Sequence, residues 1–132
     1  MTAAAVRAPV RALYIVDTDA SVRESLSRLA ESAGFEARPC ENAEAFVRQV
    51  PEGTAACALV DLSDAGLRNP AIRARLSVLS TMLPVIALSV RDDAQTQRAA
   101  RELGARAFFR KPVDAAALLD SIAWLMRAER AS

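Results

Sequence analysis

Residues 12–17 read ALYIVD and residues 56–61 read ACALVD, two short unbroken apolar runs that each close on an aspartate. Such a run is short for a buried helix and lacks the alternation of a strand with one wet face. It therefore reads as a strand covered on both sides. Residues 84–89, PVIALS, repeat the pattern with a terminal serine, and Phe108 and Phe109 precede Arg110, Lys111 and Pro112 in FFRKP. Strands are accordingly expected at Ala12–Val16 (β1), Ala56–Val60 (β3), Pro84–Leu88 (β4) and around Phe108 and Phe109 (β5). Phe35–Pro39 supplies a weaker β2.

Between these runs the apolar spacing changes to that of helices. Ser21 and Glu24, three apart, form a capping box, and Val22, Leu26, Leu29, Ala30 and Ala33 follow at helical intervals until Gly34 (α1). Ala43, Phe46, Val47 and Val50 suggest a short α2 ending before Pro51 and Gly53. Leu67, Ile72, Leu76 and Leu79 fit an α3 between Gly66 and Ser80, its start blurred by Pro70. Ala94–Leu103 is a mostly polar α4 stopped by Gly104. Asp114 caps α5, whose core face carries Leu118, Leu119, Ile122, Leu125 and Met126. Five β–α units in succession point to a parallel sheet covered by helices on both faces, because parallel neighbours need crossovers.

The whole chain sets bounds on function. Its 132 residues, 52% hydrophobic and 25% charged, suit one folded domain; residues 1–10 read as a flexible lead and 11–130 as the domain. Lys and Arg number 17 against 16 Asp and Glu, and the net charge of +1 gives no field drawing the protein to nucleic acid or an anionic membrane. Arg73, Arg75, Arg98 and Arg101 read as a solvated face, without the aromatic interleaving of a nucleic-acid site. No stretch approaches the roughly 20 apolar residues of a membrane span, so a cytoplasmic location is expected. Cys40 and Cys57 lack CxxC spacing and read as buried thiols. With no histidine, chemistry falls to carboxylate, hydroxyl, lysine or a bound metal.

In sheets of this kind, ligands bind beyond the carboxyl ends of the strands, at the switch point of strand order. Asp17, Asp61, Ser89 and Lys111 close β1, β3, β4 and β5 and should meet at that rim. Two carboxylates about 5 Å apart repel by roughly 3 kcal/mol at an effective dielectric near 20, so the rim needs a cation. Lys111 and Mg²⁺ are the candidates, since hard oxygen ligands suit Mg²⁺. An aspartate held there can act as a nucleophile toward phosphorus, with lysine and metal neutralising charge and a serine hydroxyl bonding a phosphoryl oxygen.

The segments IVDTDASVRESL, ALVDLSDAG, PVIALS and FFRKP, in that order and each at a strand end, resemble the signature segments of the CheY-like response regulator receiver family. The likeness covers about residues 11–128. It implies a three-layer (βα)5 flavodoxin-like doubly wound fold with five parallel strands in the order 2-1-3-4-5. It further implies Asp61 as phosphoacceptor, Asp17 as a metal-site acid, the Ser63 carbonyl as a direct Mg²⁺ ligand, and Ser89 as the switch hydroxyl. Lys111 becomes the phosphate-contacting lysine and Phe108 the rotameric aromatic, and the Lys111–Pro112 peptide is expected to be cis. The donor would be a sensor histidine kinase or phosphotransfer protein. A downstream protein target, or a second copy of the chain, would read the α4-β5-α5 face. Such a chain is a signalling domain rather than an enzyme.

Two departures qualify the likeness. Thr18 stands where the family has a second acid that contacts the metal directly, and Asp64 and Ala65 stand where relatives show Met-Pro. Weak Mg²⁺ binding and slow phosphorylation are the expected consequences of Thr18. The alternative is a pseudo-receiver, whose incomplete acid pocket never loads and which binds a partner constitutively. Arg110 offers charge similar to that of Lys111, and Phe108 can serve as plain core. A flavodoxin-like enzyme or flavin protein of the same architecture is disfavoured, because the acids of DTDAS after β1 repel phosphate. No output segment is expected after α5, which leaves open a stand-alone regulator or the front of a longer one.

Overall fold

The computed structural model describes residues 11–50 and 56–131, so the expectations for residues 1–10 and for Pro51 and Gly53 lie outside the described residues. The elements run β1 Ala12–Val16, α1 Ala20–Ser32, β2 Glu36–Cys40, α2 Ala43–Gln49, β3 Ala56–Asp61, a 3₁₀ turn Ala65–Arg68, α3 Pro70–Leu79, β4 Val85–Ser89, α4 Ala94–Glu102, β5 Ala107–Arg110 and α5 Ala115–Ala131. The strands form one parallel sheet in the order β2-β1-β3-β4-β5. The fold is the three-layer doubly wound (βα)5 arrangement expected from the sequence.

Strand alternation distributes the core. Tyr14, Val16, Ala58 and Val60 turn to one face, where they pack with Phe46 of α2 and Leu76 of α3. Leu13, Ile15, Cys57, Leu59, Ile86 and Leu88 turn to the other, against Leu26 of α1 and Leu118 and Ile122 of α5. Each fully buried Leu or Ile contributes about 1.5–3 kcal/mol, so these two layers dominate the folding free energy. The Tyr14 and Phe46 rings meet edge-on at 5.3 Å. β1, β3 and β4 are buried at every position, which is why their sequences are unbroken apolar runs. β2 is an edge strand, and an edge admits Pro39, which has no N–H to give.

Two helix starts and one surface reading depart from the sequence expectation. The cap of α1 is Asp19, whose side chain accepts from the Ser21 and Val22 N–H groups; Ser21 lies inside the helix and Glu24 pairs with Arg28. The Ser21–Glu24 capping box is therefore not formed, because an aspartate two residues earlier already satisfies the free donors. α3 begins at Pro70 rather than near Gly66. Asn69 caps it, Pro70 occupies the first turn where its missing N–H costs nothing, and Ala65–Arg68 forms a separate 3₁₀ turn. Arg73 and Arg75, read as a solvated face, are exposed yet bonded. Arg73 donates to the Leu67 and Arg68 carbonyls and Arg75 to that of Val47.

Candidate functional site

Register brings the acids together. Val16 pairs with Val60, so the residues that follow, Asp17 and Asp61, leave adjacent strands at the same height. Asp61 pairs with Leu88 and Leu88 with Phe109, which sets Ser89 and Lys111 just beyond on the neighbouring strands. Asp17 and Asp61 are 1% and 3% exposed. Lys111 reaches between them, its Nζ 2.6 Å from Asp17 Oδ2 and 3.5 Å from Asp61 Oδ1. Arg110, the rival cation, turns outward to Asp92. The Lys111–Pro112 peptide is cis, as expected.

The loops around this ion triad are tied down by backbone bonds. Asp17 Oδ1 accepts from the Asp19 N–H at 2.9 Å, while the Arg23 guanidinium donates to the Asp17 carbonyl at 2.7 Å. Asp61 Oδ1 accepts from the Ser63 N–H at 3.2 Å, and its Oδ2 accepts from the Ser63 hydroxyl at 2.7 Å. Both oxygens of Asp61 therefore already have donors. Ser89 is buried, and its hydroxyl accepts from the Arg91 N–H at 3.0 Å, bending the chain toward Asp93, the cap of α4. The Thr96 N–H, then the Thr96 hydroxyl and Arg91, hold the Asp93 carboxyl below its ordinary range. Phe108, opposite Ala87, is half-buried, and Thr18 is exposed.

The donor set can be weighed for a divalent cation. Asp17 and Asp61 already face one cationic group between them, and their carboxylates offer hard oxygen atoms of the kind Mg²⁺ takes. The set holds two carboxylates, and among the described residues no group of three or more His, Cys, Asp or Glu side chains gathers to hold a metal. The residues present fit Mg²⁺, with one charge fewer than three acids would supply.

Three residues near the site escaped the sequence reading of their roles. Asp64 is 5% exposed and accepts from the Ala43 N–H of α2 and the Gly66 N–H of its own turn. The Asp-x-Gly spacing signals the second bond; nothing local signals the first. Arg23 falls on α1 as an ordinary polar helix residue, and the sequence assigns Ser63 a role only through its carbonyl, while its hydroxyl and N–H both bond Asp61. Cys40 and Cys57 are buried free thiols, as read. Among the described residues no helix is long and apolar enough to cross a membrane.

Comparisons with known proteins agree with this geometry. The family model described as the response regulator receiver domain matches residues 13–123. The transcriptional regulatory protein TdiR of Thauera aromatica is 33% identical over 110 residues, covering 83% of this chain and 48% of TdiR. The transcriptional regulatory protein FixJ of Bradyrhizobium diazoefficiens is 29% identical over 102 residues, covering 77% of this chain and 50% of FixJ. The chain thus spans about half the length of these curated relatives. The solved structure of the response regulator StyR superposes with a TM-score of 0.79 at 28% identity, over 92% of this chain and 61% of that one. A match over most of the sequence, on a sheet whose carboxyl rim gathers two aspartates around a lysine, places this chain in the response regulator receiver domain family.

Proposed function

We propose that the chain is a phosphorylation-controlled binding module with Asp61 as acceptor, and that a histidine kinase or phosphotransfer protein is the donor. The observation that carries the reading is the Lys111 ammonium set between the Asp17 and Asp61 carboxylates at the ends of β1 and β3. A carboxylate oxygen of Asp61 forms the new bond to phosphorus as the bond from phosphorus to the donor atom breaks. The electron pair leaves with the donor, which takes up a proton where its basicity requires. Lys111 neutralises charge on the transferring group, and the Ser63 hydroxyl must turn off Oδ2 if that oxygen attacks. Asp17, Asp61 and the Ser63 carbonyl would hold Mg²⁺, which when bound adds positive charge against the phosphoryl oxygens.

The loaded state then draws Ser89 from its bond with the Arg91 N–H toward the phosphoryl group, with Phe108 on the next strand responding. A few kcal/mol of bias suffices to shift a two-state element of this size. The face of α4, β5 and α5 presents the change to a downstream protein in the cytoplasm or to a second copy of the chain.

A second reading is favoured by specific observations: Thr18 is exposed in place of an acid, and both oxygens of Asp61, itself only 3% exposed, are already bonded. In that reading the pocket stays unloaded and the same face binds constitutively. Incubation with acetyl phosphate and Mg²⁺ followed by intact mass separates the two. One added phosphoryl group, lost in Asp61→Asn, supports the first; none on the wild type overturns it in favour of the second.

A further inference from the structure

Asp64 stands third after Asp61 and is 5% exposed, a charged side chain in a place where burial must be compensated. Its compensation comes from two backbone donors on different elements. Oδ2 accepts from the Ala43 N–H at 2.6 Å, 21 residues away at the first position of α2, and Oδ1 accepts from the Gly66 N–H at 2.8 Å. Asn42 caps α2 through the Ala45 N–H, so Asp64 satisfies a donor that Asn42 leaves free. The approach to Gly66 is close: a Cβ there would stand 3.1 Å from Asp64 Oδ1. Asp64 thereby ties the loop after β3 to α2, two elements that share no strand pairing.

The same loop holds the acceptor. Ser63 bonds both Asp61 oxygens, and the Asp64 N–H reaches the Asp61 carbonyl at 3.4 Å. Any slackening at Asp64 is therefore passed to Ser63 and from there to Asp61. We infer that Asp64 is a positioning residue for phosphoryl transfer: its tether to α2 holds Ser63 and the acceptor loop where Asp61 meets the donor. This rests on Asp61 being the acceptor. The competing account makes Asp64 a cap that stabilises the fold and leaves the acceptor untouched.

Asp64→Asn distinguishes them, because an amide offers one acceptor oxygen to two donors and sets an NH₂ against an N–H. Initial rates of acetyl phosphate labelling are measured across donor concentration with Mg²⁺ present, on protein shown folded by circular dichroism. Backbone amide exchange at Ala43, Ser63 and Gly66 is followed by NMR without any donor. The expected result is a maximal rate lower by on the order of tenfold, a half-saturating concentration within about twofold, and faster exchange at Ser63 as well as at Ala43 and Gly66. An unchanged maximal rate in folded Asp64→Asn overturns the inference. Should the wild type take up no phosphoryl group, the acceptor reading fails by itself, and unaltered exchange at Ser63 then overturns the role of Asp64. If Asp64→Asn does not fold, Asp64→Ser, which keeps one acceptor, is measured in its place.

Discussion

Lys111 donates from Nζ to Asp17 Oδ2 at 2.6 Å, joining the end of β5 to the end of β1 across the mouth of the sheet. The pair is well shielded, with side chains 15% and 1% exposed, so solvent screens it little. Asp61 is the less neutralised partner at 3.5 Å.

Removing the ammonium by Lys111→Met leaves two buried carboxylates facing each other. Unfolding free energy should fall by about 2–4 kcal/mol, since breaking a buried pair strands a charge. Asp61→Asn in that background should restore more than half of the loss, because it removes the repulsion and keeps an oxygen for the Ser63 N–H. Urea unfolding of the four proteins of the cycle measures the coupling. Strictly additive effects would show that Lys111 does not hold the two acids together.

How far the sequence foretold this site depends on what each feature rests upon. β1, β3 and β4 are legible because central strands buried on both faces must be apolar throughout. Their terminal polar residues are legible because a parallel sheet puts strand ends at one rim, and register alone then brings Asp17, Asp61 and Lys111 together. β2 is faint because EARPC at an edge is half solvated. The helix starts shifted where two capping residues competed: Asp19 over Ser21, and Asn69 with Pro70 over Gly66. Asp64 to Ala43 and Arg23 to Asp17 were unreadable, since a side chain bonding another element's backbone leaves no periodic trace.

Gly104 and Gly34 both adopt positive φ, +84° and +87°, after α4 and α1, but their surroundings differ. A Cβ on Gly34 meets nothing within 4 Å, so Gly34→Ala should cost about 1 kcal/mol, the backbone penalty alone. A Cβ on Gly104 would lie 2.2 Å from Ser80 Oγ, a buried hydroxyl bonded to the Ser77 carbonyl. Gly104→Ala should therefore cost about 3 kcal/mol, overpacking added to backbone strain. Ser80→Ala combined with it should recover part of that. Equal losses at the two glycines in urea unfolding would contradict the packing account.

Burial pushes the Cys57 thiol up from 9.0 to about 12 and that of Cys40 up to about 11. Between pH 9 and those values the unfolded chain has lost its thiol protons and the native chain has kept them. The unfolded state then binds fewer protons, so stability falls as pH rises. Cys57→Ala removes one such contribution. Its penalty at pH 8, about 1–2 kcal/mol for lost packing, should shrink by about 1 kcal/mol at pH 10. Urea midpoints of wild type and variant under reducing conditions give the difference, and curves parallel from pH 8 to pH 10 would refute it.

Thr18→Asp would add a third acid to the rim, and its effects should differ in sign with and without metal. In chelator, the new carboxylate joins Asp17 and Asp61 against one ammonium, and stability should drop by about 1 kcal/mol, moderated by the exposure of position 18. In Mg²⁺ the same charge attracts the ion, and affinity should tighten by about tenfold, equivalent to about 1.4 kcal/mol. Since an ion that binds only the native state stabilises it by mass action, excess Mg²⁺ should raise the variant's unfolding free energy more than the wild type's. Calorimetric Mg²⁺ titration, with urea unfolding in chelator and in excess Mg²⁺, reads both effects. Identical affinities for wild type and variant would mean that the threonine does not set the metal affinity of this rim.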